Sequence, residues 1–138
     1  MNKRYLLAEQ TIDELDIAGV IDWLKTNPWL TQGALVREFE NRWAAWLGVK
    51  HAAFVNSGSS ANLLMYYSQL ISKRLRNQKI IVPAISWATT VSPAFQLGFE
   101  PIMCEANWDT FGLDLNHFED LLKKHNPAAT IIVHVLGV

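Results

Sequence analysis

Phe54-Val55-Asn56-Ser57-Gly58-Ser59-Ser60-Ala61-Asn62-Leu63-Leu64 carries a short apolar run through small hydroxyl residues and one glycine into a helical pattern. It reads as a strand, a tight turn and a helix start. At such a junction the first amides of the helix have no intrahelical acceptor, and the helix dipole adds positive potential to them. An anion seated there gains roughly 0.3–1 kcal/mol per interaction. The Ser59 and Ser60 hydroxyls can donate beside those amides. Taken alone, the motif is equally a phosphate seat or a plain helix cap.

Downstream, short apolar runs alternate with helical patterns, the signature of a mostly parallel α/β sheet covered on both faces. Strands are expected at 52–55, 79–82 ended by Pro83, 101–104 and 130–135. The intervening helices are expected at 60–74, at 89–97 closed by Gly98, and at 117–124, with Asn116 and Glu119 as a capping pair. Upstream, a helix over 13–25 places Ile17, Val20, Ile21 and Leu24 on one face and is stopped by Asn27-Pro28. A second helix carries Val36, Phe39, Trp43, Trp46 and Leu47 in a stripe before Gly48. The chain therefore divides into an N-terminal helical segment, 1–50, and the first part of an α/β domain, 51–138.

Half of the 138 residues are hydrophobic and 18% are charged, enough for one domain with a core. That charged fraction is below the roughly 25% usual for soluble domains, so part of the surface is expected to be covered by more protein. A net charge of −1, with no basic cluster denser than Lys73-Arg74 and Arg76, gives no footprint for nucleic acid or a membrane surface. The single cysteine, Cys104, leaves no internal disulfide and fits a reducing compartment; its apolar setting is that of a buried, inert thiol. Glu9, Asp13 and Glu14 interrupt the basic start before an apolar signal region forms, and no apolar run reaches the roughly 20 residues of a membrane span. A cytoplasmic location is expected. The histidines at 51, 117, 125 and 134 are scattered, so no metal site is expected. The last expected strand, 130–135, leads into Leu136-Gly137-Val138 with no polar or helical closure, at the sheet edge where doubly wound folds gather site residues, and this reads as truncation.

Further motifs join the first. In order they are Trp29-Leu30-Thr31-Gln32-Gly33, Phe39-Glu40, Leu47-Gly48-Val49-Lys50-His51, Val82-Pro83-Ala84 and Trp87-Ala88-Thr89-Thr90. Gly98-Phe99-Glu100-Pro101-Ile102, Asp109-Thr110-Phe111-Gly112-Leu113-Asp114 and His134-Val135-Leu136-Gly137 complete the series. Over nearly the whole chain this resembles the DegT/DnrJ/StrS family of pyridoxal-phosphate-dependent sugar aminotransferases. The resemblance implies the N-terminal part of a three-layer α/β, aspartate aminotransferase-like large domain, the PLP-dependent transferase fold, with the rest of the family's chain absent. It implies pyridoxal 5'-phosphate or pyridoxamine 5'-phosphate as cofactor. It places Gly58, Ser59 and Ser60 at the cofactor's phosphate, Trp87 against the face of its pyridine ring, and Thr31 and Gln32 in the sugar-side wall. An offset aromatic neighbour adds roughly 0.5–1.5 kcal/mol beyond burial for such a ring. On spacing alone Trp87 is also readable as a core aromatic, and 29–33 as a turn that Trp29 staples.

By the same resemblance, the lysine that holds the cofactor covalently and the carboxylate that keeps its ring nitrogen protonated both lie beyond Val138. No catalytic residue is assigned within the chain, and Lys50, Lys73, Lys79, Lys123 and Lys124 do not correspond to that lysine. His51 and His134 read as structural, Glu105 and Asp109 as solvated loop acids. The implied activity is amino transfer from a donor such as glutamate to a nucleotide-linked keto-deoxysugar, in polysaccharide or sugar biosynthesis, by a homodimer when full length. The present chain alone is expected to be inactive. The run 56–64 and Thr89-Thr90-Val91-Ser92-Pro93 look closest to the nucleotide-sugar 3-dehydratase branch, in which histidine replaces the lysine. A third reading, a non-catalytic phosphate- or nucleotide-binding α/β module, lacks support from either a Gly-Lys-Ser/Thr ending or a three-glycine dinucleotide pattern.

Overall fold

The computed structural model describes residues 9–134 and Gly137. The chain separates into two compact units, Met1–Phe54 and Val55–Val138.

In the first unit, α1 (Glu14–Lys25) starts from a reciprocal cap. The Asp13 carboxylate accepts from the amides of Leu15 and Asp16 at 2.9 and 3.0 Å, and Asp16 returns the bond to the Asp13 amide at 3.1 Å. Asn27 takes a positive φ of 51° and Pro28 follows, which ends the helix as expected. Helix α2 (Ala34–Leu47) stops at Gly48 in the left-handed region, φ 70°, where glycine meets no Cβ penalty. The apolar stripes predicted for both helices form, but among the described residues of this unit only Ala44 is buried.

The second unit has β1 (Lys79–Pro83) at the centre of a three-stranded parallel sheet, flanked by β2 (Glu100–Cys104) and β3 (Ala129–Thr130) in the order β2-β1-β3. Lys79 pairs with Glu100 and Pro83 with Cys104 on one side; Ile80 pairs with Ala129 on the other. Side chains alternate across a strand, so β1 feeds two cores. Ile80 and Val82 pack with Tyr66, Ala94 and Phe99 from the side of α3 (Gly58–Ser72) and α4 (Ala88–Gln96). Ile81 packs with Cys104 and with Leu121 of α5 (Leu115–His125) on the opposite face. Helices thus cover both faces, the three-layer arrangement expected of this α/β chain.

Three expectations change. Residues 52–55 form no strand: the Phe54 amide donates to the Glu40 carboxylate at 2.8 Å and the Phe54 ring meets Phe39 edge-on at 5.3 Å. An apolar run becomes a strand only with a ladder partner, and among the described residues no strand supplies one. The cap of α5 is Asp114, whose carboxylate accepts from the His117 amide at 2.8 Å, so the helix begins before Asn116. A charged acceptor makes the stronger bond, and Glu119 instead pairs with Lys123 at 2.7 Å. The last strand is confined to Ala129–Thr130, with the Ile131 amide adding one bond to the Ile81 carbonyl at 2.9 Å. Val135, its expected end, lies outside the described residues.

Candidate functional site

Helix α3 begins two residues earlier than expected, at Gly58, with Ser57 as its cap. The first intrahelical bond runs from the Ala61 amide to the Ser57 carbonyl, 3.1 Å, and the Ser60 amide is taken by the Ser57 hydroxyl, 3.2 Å. That leaves the Gly58 and Ser59 amides without an intrahelical acceptor at the positive end of the dipole. A Cβ built on Gly58 would meet nothing within 4 Å, so the helix mouth is open. The Ser60 hydroxyl donates to Asn56 Oδ1 at 2.6 Å and accepts from Ser57 Oγ at 3.2 Å. Ser60 therefore has both its protons engaged inside the turn.

Trp87 lies between β1 and α4 and serves as the helix cap without a side-chain bond. The turn leading to it is fixed where the Ala84 amide donates to the Cys104 carbonyl, 2.8 Å. The indole is 78% exposed in this chain. Two contacts join this turn to the α3 mouth: Ser59 Oγ donates to Thr89 Oγ1 at 3.1 Å, and the Asn62 side-chain amide donates to the Thr89 carbonyl at 3.1 Å. One helix turn along, the buried Tyr66 hydroxyl donates to the Thr90 carbonyl at 2.9 Å; burial pushes the Tyr66 phenol above its ordinary range. The N-termini of α3 and α4 thus meet beyond the carboxyl end of β1, the place where open α/β sheets gather ligands.

The sequence points to Gly58, Ser59, Ser60 and Trp87 at this junction but not to Thr89 and Asn62, whose contacts join the two turns. The signal available was Pro93. Proline has no N–H, so the carbonyl four residues back, Thr89, has no helical donor, and a polar residue on a neighbouring element has to supply one.

Thr31 and Gln32 lie in the exposed loop between α1 and α2. Thr31 lines a cavity of about 270 Å³ with Trp23, Pro28 and Leu30. Trp29 is 76% exposed and lines the same cavity. Gly33 is required there, since a Cβ would come within 2.8 Å of the Trp29 carbonyl oxygen. His134 is exposed and lines a cavity of about 450 Å³ with Asn107, Leu113 and Phe118. The Glu105 amide donates to His117 Nδ1 at 3.0 Å, which puts the neutral ring's proton on Nε2. The Asp109 amide donates to Asn107 Oδ1 at 2.9 Å, within a turn. Cys104 is fully buried; burial, then the carboxylates of Asp114 and Glu105, push its thiol up. Among the described residues no group of His, Cys, Asp and Glu is arranged to hold a metal, and no helix is long and apolar enough to cross a membrane.

Residues 10–138 match the model of the DegT/DnrJ/EryC1/StrS aminotransferase family. The chain is 33% identical over 136 residues to GDP-4-keto-6-deoxy-D-mannose 3-dehydratase of Escherichia coli O55:H7, covering 96% of this chain and 34% of that protein. It is 30% identical over 138 residues to UDP-4-amino-4-deoxy-L-arabinose–oxoglutarate aminotransferase of Shewanella sediminis, covering 99% of this chain and 34% of that one. The structure superposes on the E. coli GDP-4-keto-6-deoxy-D-mannose-3-dehydratase with bound hydrated PLP at a TM-score of 0.74 and 32% identity, over 85% of this chain and 31% of the other. This chain therefore spans about a third of the length of these relatives. Its α/β framework is that of the PLP-dependent aminotransferase fold, and the chain belongs to the DegT/DnrJ/EryC1/StrS aminotransferase family.

Proposed function

We propose that this chain forms the phosphate-binding part of a vitamin B6-dependent enzyme that moves an amino group onto a nucleotide-linked keto-deoxysugar in polysaccharide or sugar biosynthesis. Residues 1–50 are the helical lead-in and 51–138 the first part of the cofactor domain. The observation that carries the reading is the meeting of two helix N-termini beside an exposed indole, held by the Ser59–Thr89 hydroxyl contact.

The residues present fit a phosphorylated, flat heteroaromatic group. The open mouth at Gly58 admits a phosphate, and the uncommitted amides of Gly58 and Ser59 donate to it. Ser60 closes the turn beneath them through Asn56. Trp87 covers one ring face and keeps water from it. Thr31 and Gln32 belong to the sugar-side wall. When bound, the cofactor supplies the electron sink and carries the amino group. The covalent lysine and the carboxylate at the ring nitrogen are expected from further sequence of the enzyme. A homodimer and a cytoplasmic location belong to the same reading.

The test is spectroscopic. Full-length protein should show a cofactor band between roughly 320 and 430 nm that changes on addition of an amino donor. A preparation with no such band, whose small-molecule affinities ignore replacement of Ser59 and Trp87, refutes the reading. Sugar 3-dehydration with the aminated cofactor is the second reading. It is favoured by the 33% identity over 96% of the chain to the E. coli 3-dehydratase. Histidine at the covalent position supports dehydration and lysine supports transfer. A phosphate- or nucleotide-binding module without B6 chemistry would instead bind nucleotide and no pyridoxal phosphate.

A further inference from the structure

We propose that Thr89 is the second hydroxyl of the phosphate seat, working as a pair with Ser59. The inference rests on the B6 reading above and adds a residue to it. A hydroxyl has one proton to donate and two lone pairs to accept with. The Ser60 hydroxyl proton goes to Asn56 Oδ1 at 2.6 Å, and the Ser60 amide proton goes to Ser57 Oγ at 3.2 Å. Neither proton of Ser60 reaches an anion while the turn is intact.

Ser59 gives its hydroxyl proton to Thr89 Oγ1 at 3.1 Å. Accepting that bond leaves the Thr89 proton free to point elsewhere, so the pair ends in a donor, and that donor is on α4. Thr89 occupies the second position of α4, where its own amide also precedes the first intrahelical acceptor of the helix. Its position is fixed from behind by Asn62, which holds the Thr89 carbonyl at 3.1 Å. A phosphate resting on the Gly58 and Ser59 amides then receives its hydroxyl bond from Thr89, two residues along the chain from the indole that covers the ring. The same residue thereby ties the phosphate seat to the Trp87 turn.

The experiment compares affinities for pyridoxal 5'-phosphate and for pyridoxal, which lacks the phosphate, in full-length protein. Thr89→Val keeps the shape and removes the hydroxyl. It should weaken binding of the phosphorylated cofactor roughly tenfold while changing pyridoxal binding less than about twofold, since a bond to a charged group is lost only where that charge is present. Thr89→Ser should restore the phosphorylated cofactor. Adding Thr89→Val to Ser59→Ala should weaken it by less than the sum of the two single effects, because the pair acts as a unit. Should Thr89→Val not fold, Thr89→Ala carries the same comparison. Equal loss for both ligands, or loss for neither, overturns the inference. Wild-type protein that binds neither ligand overturns the B6 reading as well. Wild-type binding that Ser59→Ala weakens and Thr89→Val leaves alone overturns Thr89 only.

Discussion

A proline inside a helix organises this site. Pro93 is buried in α4, and without an N–H it leaves the Thr89 carbonyl to be satisfied from outside the helix. Asn62 of α3 does this, and Thr89 in turn accepts the Ser59 hydroxyl. Asn62→Leu should therefore lower stability by about 1–3 kcal/mol, the usual penalty for a stranded acceptor. Pro93→Ala restores a donor within the helix, so the cost of Asn62→Leu should shrink in that background, with a coupling of roughly 0.5–3 kcal/mol in denaturant melts. Additive losses would show that Asn62 acts through something other than this carbonyl. The helix start within 56–64 was legible to within two residues because small capping residues precede a helical apolar period there. Thr89 and Asn62 were not, since their pairing spans 27 residues and is expressed only once α3 and α4 pack on the same face of β1.

Most elements with strong local signals matched their expectation, the Asn116 cap excepted, while the runs 52–55 and 130–135, which need a ladder partner, did not form as full strands. Asp13, Gly48 and the β1 run are each decided within a few residues by capping chemistry, by left-handed geometry or by an unbroken apolar stretch. The run 52–55 is equally apolar, yet what makes a strand is its ladder, and composition cannot name the neighbour. The same element logic gives a pH prediction at the β2–α5 contact. Cys104 closes β2 and is buried against Leu121, with its Sγ 3.7 Å from the carbonyl oxygen of Asp114, the α5 cap. Burial, then Asp114 and Glu105, hold the thiol protonated in the folded state at pH values where the unfolded chain already ionises. The unfolded state then binds fewer protons, so stability is intact at neutral pH and falls as pH rises through the ordinary thiol range. Urea melts should show this alkaline slope, and Cys104→Ala should flatten it at some loss of neutral-pH stability. The buried phenol of Tyr66 shifts the same way and leaves a residual slope further into alkali.

At the scale of the molecule, the unusual property is how much apolar surface the described residues leave open. In the first unit Phe39, Trp43 and Trp46 form an aromatic ladder with centroid spacings of 5.8 and 5.0 Å. They line a cavity of about 520 Å³ with Leu35 and the stems of Glu38 and Arg42. Trp46 is 74% exposed, and the stripe of Ile17, Val20, Ile21 and Leu24 on α1 is exposed as well. The 18% of charged residues in the chain cannot mask patches of this kind, and contiguous apolar area beyond a few hundred Å² drives association. The 138-residue chain on its own should therefore self-associate in a concentration-dependent way in sedimentation experiments and bind an apolar dye while its far-ultraviolet spectrum remains helical. Replacing the most exposed indole of the ladder, as in Trp46→Lys, should shift the distribution toward monomer and reduce dye binding with little change in helix content. The side chain is mostly exposed, so its removal opens no core cavity. A chain that sediments as a monomer at every concentration and binds no dye would mean that these aromatic faces are covered within the molecule itself.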